Sequence, residues 1–241
     1  MADCPHCRGL VEEGAAICPS CGGILTGAAP APPISGKAVT PGQYLRHGWE
    51  LFKQYPGGFV GFTLVFLLIH AFLSQIPWIG DLATLAVSMP LSVGFFVVSA
   101  KLLQRRPPGF QDFFAGFQFF LPLLLLTIVS TVLIILGLVL LIIPGIFLLV
   151  CYLFASNLVV DRRLDFWPAM ELSRRTVQAQ WFGFFVFFLL LLLINLAGLL
   201  ALGVGLLISC PVSACALAVA YAEIFGLQSD YSGSITHLKQ P

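Results

Sequence analysis

The chain has 241 residues, of which 59% are hydrophobic and only 10% charged, with a formal net charge of +1; its mass is 26.1 kDa and its mean hydropathy +0.97. A soluble domain carries about 25% charged residues, and a chain of this size has too little interior to hide such an apolar surplus from water. The composition therefore excludes a soluble globular protein, a disordered chain and a nucleic-acid binder driven by bulk charge, and it assigns the surplus to lipid.

The apolar surplus begins late. Residues 1–27 are polar and cysteine-rich, and they open with Asp3, Cys4 and Pro5 where a secretory signal would need a basic stretch and an apolar core. The amino end is expected to stay in the cytosol. Four cysteines form two CPxC knuckles, Cys4-Pro5-His6-Cys7 and Cys18-Pro19-Ser20-Cys21, each followed by a glycine (Gly9, Gly23). Two residues between thiolates let one tight turn aim both at a single tetrahedral ion, and the glycine permits the backbone that closes the turn. Cys4, Cys7, Cys18 and Cys21 thus read as a structural Zn2+ site in a minimal zinc ribbon of two short strands. Four thiolates saturate the metal, which leaves no position for water or substrate. A segment this short cannot bury a core, so the metal supplies its folding free energy. Arg8 stands alone against Asp3, Glu12 and Glu13 in the ribbon. That sign repels phosphate, which argues against nucleic acid and for a protein-interaction module. Cys151, Cys210 and Cys215 fall in apolar runs and read as small hydrophobes.

Residues 28–42 include Pro30, Pro32, Pro33 and Pro41 and form an extended tether. A transmembrane domain over 43–227 and a short tail over 228–241 follow. Six segments are long and apolar enough to cross a hydrocarbon core of about 30 Å: 57–76, 82–101, 119–143, 144–160, 182–202 and 204–226. The third and fourth abut at Pro144-Gly145, where one continuous helix would be twice too long for a bilayer. With the amino end inside, every basic residue of the chain falls on the cytosolic side: Arg8, Lys37, Arg46, Lys53, Lys101, Arg105, Arg106, Arg162, Arg163, Arg174, Arg175 and Lys239. An even number of spans returns the carboxyl end to the cytosol.

Each pair of spans is preceded by a stretch with helical amphipathicity. The first sets Leu45, Trp49 and Phe52 opposite Arg46, Glu50 and Lys53; the second sets Phe110, Phe113, Phe114 and Phe117 opposite Gln111, Asp112 and Gln118. The third sets Phe166, Met170, Val177 and Trp181 opposite Glu171, Arg174, Arg175 and Gln178, with Asp165 as N-cap, Pro168 in the first turn and Glu171 paired to Arg175 at i,i+4. Each second span carries a proline expected near its start: Pro90, Pro144 and Pro211. The pattern predicts an all-α membrane protein of six transmembrane helices, arranged as three hairpins each preceded by an interfacial helix whose rings sit at the headgroup boundary. In the last hairpin Ala197, Ala201 and Gly205, then Cys210, Ala214, Ala218 and Ala222, recur at spacing four. They predict close packing within the hairpin, with homo-oligomer contact as the alternative.

Chemistry is sparse. His70 is the one ionisable group placed deep in a span, and it is expected to bond a neighbouring helix; Asn157 and Asn195 are polar, and Asp161, Glu223 and Lys101 lie at cytosolic ends. No nucleophile-and-base set and no paired carboxylates appear, so no catalytic residues are assigned.

The run Trp49-Glu50-Leu51-Phe52-Lys53-Gln54-Tyr55-Pro56-Gly57, the Ile142-Ile143-Pro144-Gly145 break, Val159-Val160-Asp161-Arg162 with Met170-Glu171-Leu172-Ser173-Arg174-Arg175, and the terminal Ala220-Tyr221-Ala222-Glu223-Ile224-Phe225-Gly226 resemble an uncharacterised family of bacterial polytopic membrane proteins, the YciC type. They also resemble the membrane domain that accompanies some glycerophosphodiester phosphodiesterases. The resemblance covers roughly residues 42–227 and implies a bacterial plasma-membrane location with no established activity. The expected function is a non-enzymatic membrane protein that touches the lipid bilayer and docks a protein partner through its zinc ribbon; a transporter or lipid-handling protein is the alternative.

Overall fold

The computed structural model of the chain describes residues 2–3, 10–11, 39–76, 79–201 and 203–228. The chain divides into two units, Met1–Gly36 and Lys37–Pro241. In the first, Ala2–Asp3 pairs antiparallel with Leu10–Val11, Ala2 opposite Val11 and Asp3 opposite Leu10. The predicted zinc ligands Cys4, Cys7, Cys18 and Cys21, and residues 28–38 of the expected 28–42 tether, lie outside the described residues, while Pro41 and Gly42 at the end of that tether are helical.

The second unit is helical. Helix α1 spans Pro41–Phe52, with proline in its first turn and Tyr44, Gly48, Leu51 and Phe52 buried at the spacing of one helical face. Two spans follow, α2 over Pro56–Leu73 and α3 over Ile79–Leu103. A short 3-10 segment, Phe110–Phe119, runs directly into α4, Phe120–Leu140. Beyond it come α5 (Ile142–Cys151), α6 (Ala155–Asp161), α7 (Phe166–Gln178), α8 (Trp181–Leu200) and α9 (Leu206–Phe225).

Among the described residues six stretches are long and apolar enough to cross a membrane: Pro56–Leu73, Ala83–Leu103, Phe110–Leu140, Ile142–Asp161, Trp181–Leu200 and Leu206–Phe225. This is an integral membrane protein by the length and composition of its helices. The apolar side chains left outside the bundle agree, with Ile143 80%, Val139 79% and Leu200 78% exposed. Such a surface is intolerable in water and ordinary in hydrocarbon.

Three details depart from the expected elements. The 110–119 stretch is a 3-10 segment continuous with α4, not a separate α-helix. Its three-residue period aligns Phe113 with Gly116, and both are buried, while Phe114 and Phe117 stay exposed. Phe113 therefore leaves the expected headgroup boundary for the core, where it stacks on Phe62 with ring centroids 4.3 Å apart. Close approach requires glycine here: a Cβ on Gly94 or Gly116 would collide with the Phe113 or Pro90 carbonyl oxygen. Second, Pro90 sits inside α3 and Pro211 inside α9, away from the helix starts, whereas Pro144 does occupy the first turn of α5. Third, the break between the third and fourth spans falls at Leu141, which is extended (φ −158°, ψ 131°), and the fourth span is itself interrupted by a turn at Tyr152–Phe154.

Burial is uneven across the spans. In α3 and α9, 56% of the membrane-length window is buried, against 22% in α2 and α8. Helices α3 and α9, which pack on each other, are the most buried of the spans.

Candidate functional site

At one end of the described bundle, helix ends far apart in sequence are tied together by polar side chains. Asp161, at the end of α6, is 4% exposed. Its carboxylate accepts from the Tyr221 hydroxyl of α9 at 2.8 Å and from the Gln228 backbone N–H at 3.3 and 3.4 Å. The neighbouring Arg162 donates to the Phe225 carbonyl at 2.6 Å, and its guanidinium carbon lies 5.9 Å from the Phe225 ring centroid. Gln104, just past α3, donates to the Gln228 carbonyl at 3.0 Å. The residues that follow α9 are thus held from both sides, and an orphan carbonyl at its C-terminus gains a charged donor. Around this knot Arg162 Nε, Asn157 Nδ2 and Gln104 Oε1 are buried without a hydrogen-bond partner among the described residues.

Three ion pairs belong to the same end. Lys101 Nζ lies 2.7 Å from Asp112 Oδ1, while the other oxygen of Asp112 accepts the Gly109 N–H at 2.7 Å. The pair ties the end of α3 to the 3-10 segment. On α7, Asp165 caps the helix by accepting the Phe166 N–H at 2.8 Å, as its position in the sequence predicts. Glu171 pairs with Arg175 at 2.6 Å, as expected, and also takes a two-pronged contact from Arg174 at 2.8 and 2.9 Å. These two guanidinium groups hold the Glu171 carboxyl down at about 2. Both turns that leave this end put arginine in the left-handed region, Arg105 at φ 57° and Arg163 at φ 51°. At the first, Arg105 N–H bonds Leu102 O and Arg106 N–H bonds Lys101 O, which closes the last turn of α3.

Two grooves flank α1. One, of about 380 Å³, has an apolar floor of Leu51, Leu103, Val219 and Ala222 and a polar rim of His47, Glu50, Gln54 and Glu223. The other, of about 270 Å³, lies between α8 and α9 with Trp49 in its lining and is almost wholly apolar.

Inside the spans, Asn195 is committed to the α8–α9 contact. Its amide donates to the Leu191 carbonyl at 2.8 Å and to Ser213 at 2.7 Å, and its oxygen accepts from Ser209 at 3.2 Å. The expected small-residue stripe is displaced by one position: Ala197 is exposed, while Gly198 packs against Gly205 and Ser209. His70 does not make its expected interhelical bond through Nε2, which is buried and unpartnered among the described residues; its ring lies 4.4 Å from that of Phe66. Cys151 and Cys215 are buried and Cys210 half-buried, all three free. Among the described residues no group of three His, Cys, Asp or Glu side chains is placed to hold a metal ion.

Compared with known proteins, the chain matches no family model, no curated protein and no solved structure. The site must therefore be read from its own residues. Sequence reasoning located Asp161, Arg162, Glu171 and the α7 cap, but missed Tyr221, Gln228 and the Lys101–Asp112 pair as partners. Only the charge of Lys101 near that of Asp112 across a short connection signalled any of them.

Proposed function

We propose that this is a non-enzymatic bacterial plasma-membrane protein whose N-terminal zinc ribbon serves as a cytosolic docking module. Cys4, Cys7, Cys18 and Cys21 hold one structural Zn2+. Both termini and the charged end of the bundle face the cytosol, in keeping with the excess of Arg and Lys there. Six spans form three hairpins, with α1 and α7 lying at the headgroup boundary. The resemblance to the YciC type agrees with the location and supplies no activity.

The observation that supports a scaffold or assembly role is the use the bundle makes of its few polar groups. Asp161, Lys101, Asp112 and Asn195 are each bonded to other parts of the same bundle. Side chains spent on tying helices together are not held ready for proton transfer or nucleophilic attack. The test is crosslinking in cells of the full chain and of a chain lacking residues 1–27, with captured proteins identified and zinc content measured on the purified proteins. One zinc per full-length chain, lost in Cys4→Ser/Cys18→Ser, and partners captured only by the full chain are expected. Equal capture by both forms overturns the docking role, and absence of zinc overturns the ribbon.

A lipid-handling role is the second reading, favoured by the apolar groove between α8 and α9.

A further inference from the structure

Helix α1 bears on its outer side Arg46, His47, Glu50 and Lys53, all exposed, while its opposite face packs along α9. The contact is intimate: a Cβ added to Gly48 would lie 2.6 Å from the Ala216 backbone nitrogen. On one flank of this contact lies the groove of about 270 Å³ lined by Trp49, Ile194, Gly198, Ile208, Ser209 and Val212. Its long walls are α8 and α9, both membrane spans. The medium outside those walls is hydrocarbon, so an apolar groove open to it takes up an acyl chain as a groove on a soluble protein takes up water. Trp49 is 43% exposed and stacks on Phe52 with centroids 5.5 Å apart, which leaves its indole at the rim. Tryptophan favours the boundary between acyl chains and headgroups, so the rim with Trp49 is the headgroup end.

The charge beside that rim selects the headgroup. Arg46 is three residues before Trp49 and Lys53 four after it, which puts both on the same flank of α1. Lys53 is bonded to Glu50 at 2.8 Å, so its charge is met within the helix. Arg46 is exposed and also acts on Glu50 one turn away, so two cations face one carboxylate and the rim keeps a net positive charge. We propose that an anionic phospholipid seats one acyl chain in the groove between α8 and α9, with Trp49 at the mouth and its phosphate beside Arg46. The site is independent of the zinc ribbon and stands or falls without it.

The test uses the full chain with Trp78, Trp167 and Trp181 replaced by phenylalanine, so that Trp49 is the only indole, in nanodiscs of phosphatidylcholine. Phosphatidylglycerol or phosphatidylcholine with dibrominated acyl chains is then titrated in and Trp49 fluorescence is read. One arginine near a membrane surface is worth about 1 kcal/mol, so half-maximal quenching is expected at an about fivefold lower mole fraction of brominated phosphatidylglycerol than of brominated phosphatidylcholine. Arg46→Glu is expected to remove that preference. Equal quenching by the two lipids in the parent means an ordinary lipid annulus and overturns the site. No quenching by either means that the groove is filled otherwise, as by a second copy of the chain, and also overturns it. A preference that survives Arg46→Glu overturns the role of Arg46. Native mass spectrometry of the unsubstituted chain checks the same point without the tryptophan replacements: one retained phosphatidylglycerol per chain is expected, and none retained overturns the proposal.

Discussion

Helices α8 and α9 are neighbours, each of 20 residues, yet 4 residues of α8 are buried against 12 of α9. The more apolar of the two is the more exposed: mean hydropathy is 2.7 for α8 and 1.7 for α9. Phenylalanine and leucine cover α8, whereas α9 is built largely from Ala, Ser, Cys and Val. In water the order would be reversed, because burial there follows hydrophobicity. In a bilayer the tails are as apolar as leucine, so a helix gains a central place by letting backbones approach and by offering polar groups that bond internally. Small side chains let α1 approach at Ala216, and Ser213 and Tyr221 supply the bonds to Asn195 and Asp161.

Substitutions on the two helices put that contrast at risk. The largest effect belongs to Tyr221, which is fully buried among Phe96, Phe154 and Phe225 as well as bonded to Asp161. Tyr221→Ala is expected to cost about 4 kcal/mol in reversible unfolding from mixed micelles, since it opens a cavity and strips a buried carboxylate of a donor. Next is Gly48→Leu, which drives a side chain into the α9 backbone; a loss of about 2 kcal/mol and detachment of α1, read as faster proteolysis between 39 and 56, are expected. Asn195→Leu removes two interhelical hydrogen bonds and is expected to cost about 1 kcal/mol. Leu193→Ala, at a position 51% exposed on α8, should lie within about 0.5 kcal/mol of the parent, because lipid replaces lipid-like contact. If Leu193→Ala proved as damaging as Tyr221→Ala, the division into a lipid-facing and a central helix would be wrong.

The smallest effect is one of pH. Glu171 titrates at about 2 in the folded chain against an ordinary 4.5, because Arg174 and Arg175 bond its charged form. The folded value is the lower one, so this contribution is complete above the ordinary carboxylate range and is lost as pH falls from there toward 2. Glu171→Gln should flatten the stability profile across that window. The difference is expected to be below about 1 kcal/mol, since the side chain is 33% exposed and solvent screens the pair.

Legibility differed between the elements for physical reasons. Spans are visible because about 20 successive apolar residues have few other uses, and the Asp165 cap is visible because it acts within one turn. The 110–119 segment departs from that reading because phenylalanines at 110, 113, 114 and 117 suit a period of 3.6, while packing of Phe113 and Gly116 against Gly94 and Pro90 of α3 selects a period of 3. The stripe on α8 was placed one residue away from its true face, since several small residues offered nearly equivalent registers. Only the partner, Ser209 with Gly205, decides among them. The bonds of Asp161 to Tyr221 and Gln228 join positions 60 and 67 residues apart, a separation at which no local pattern survives.

By itself, then, the sequence determined the solvent of this protein: composition demands lipid, and the lengths of the apolar runs set six crossings. It also determined where charge is allowed, since ionisable groups are costly in hydrocarbon and cheap at helix ends. The tertiary structure alone decided which crossings lie at the centre, which polar groups are spent on one another and where a groove remains open to the bilayer. Those outcomes depend on the fit of one helix surface against another, and fit is a property of pairs that no single stretch of chain carries.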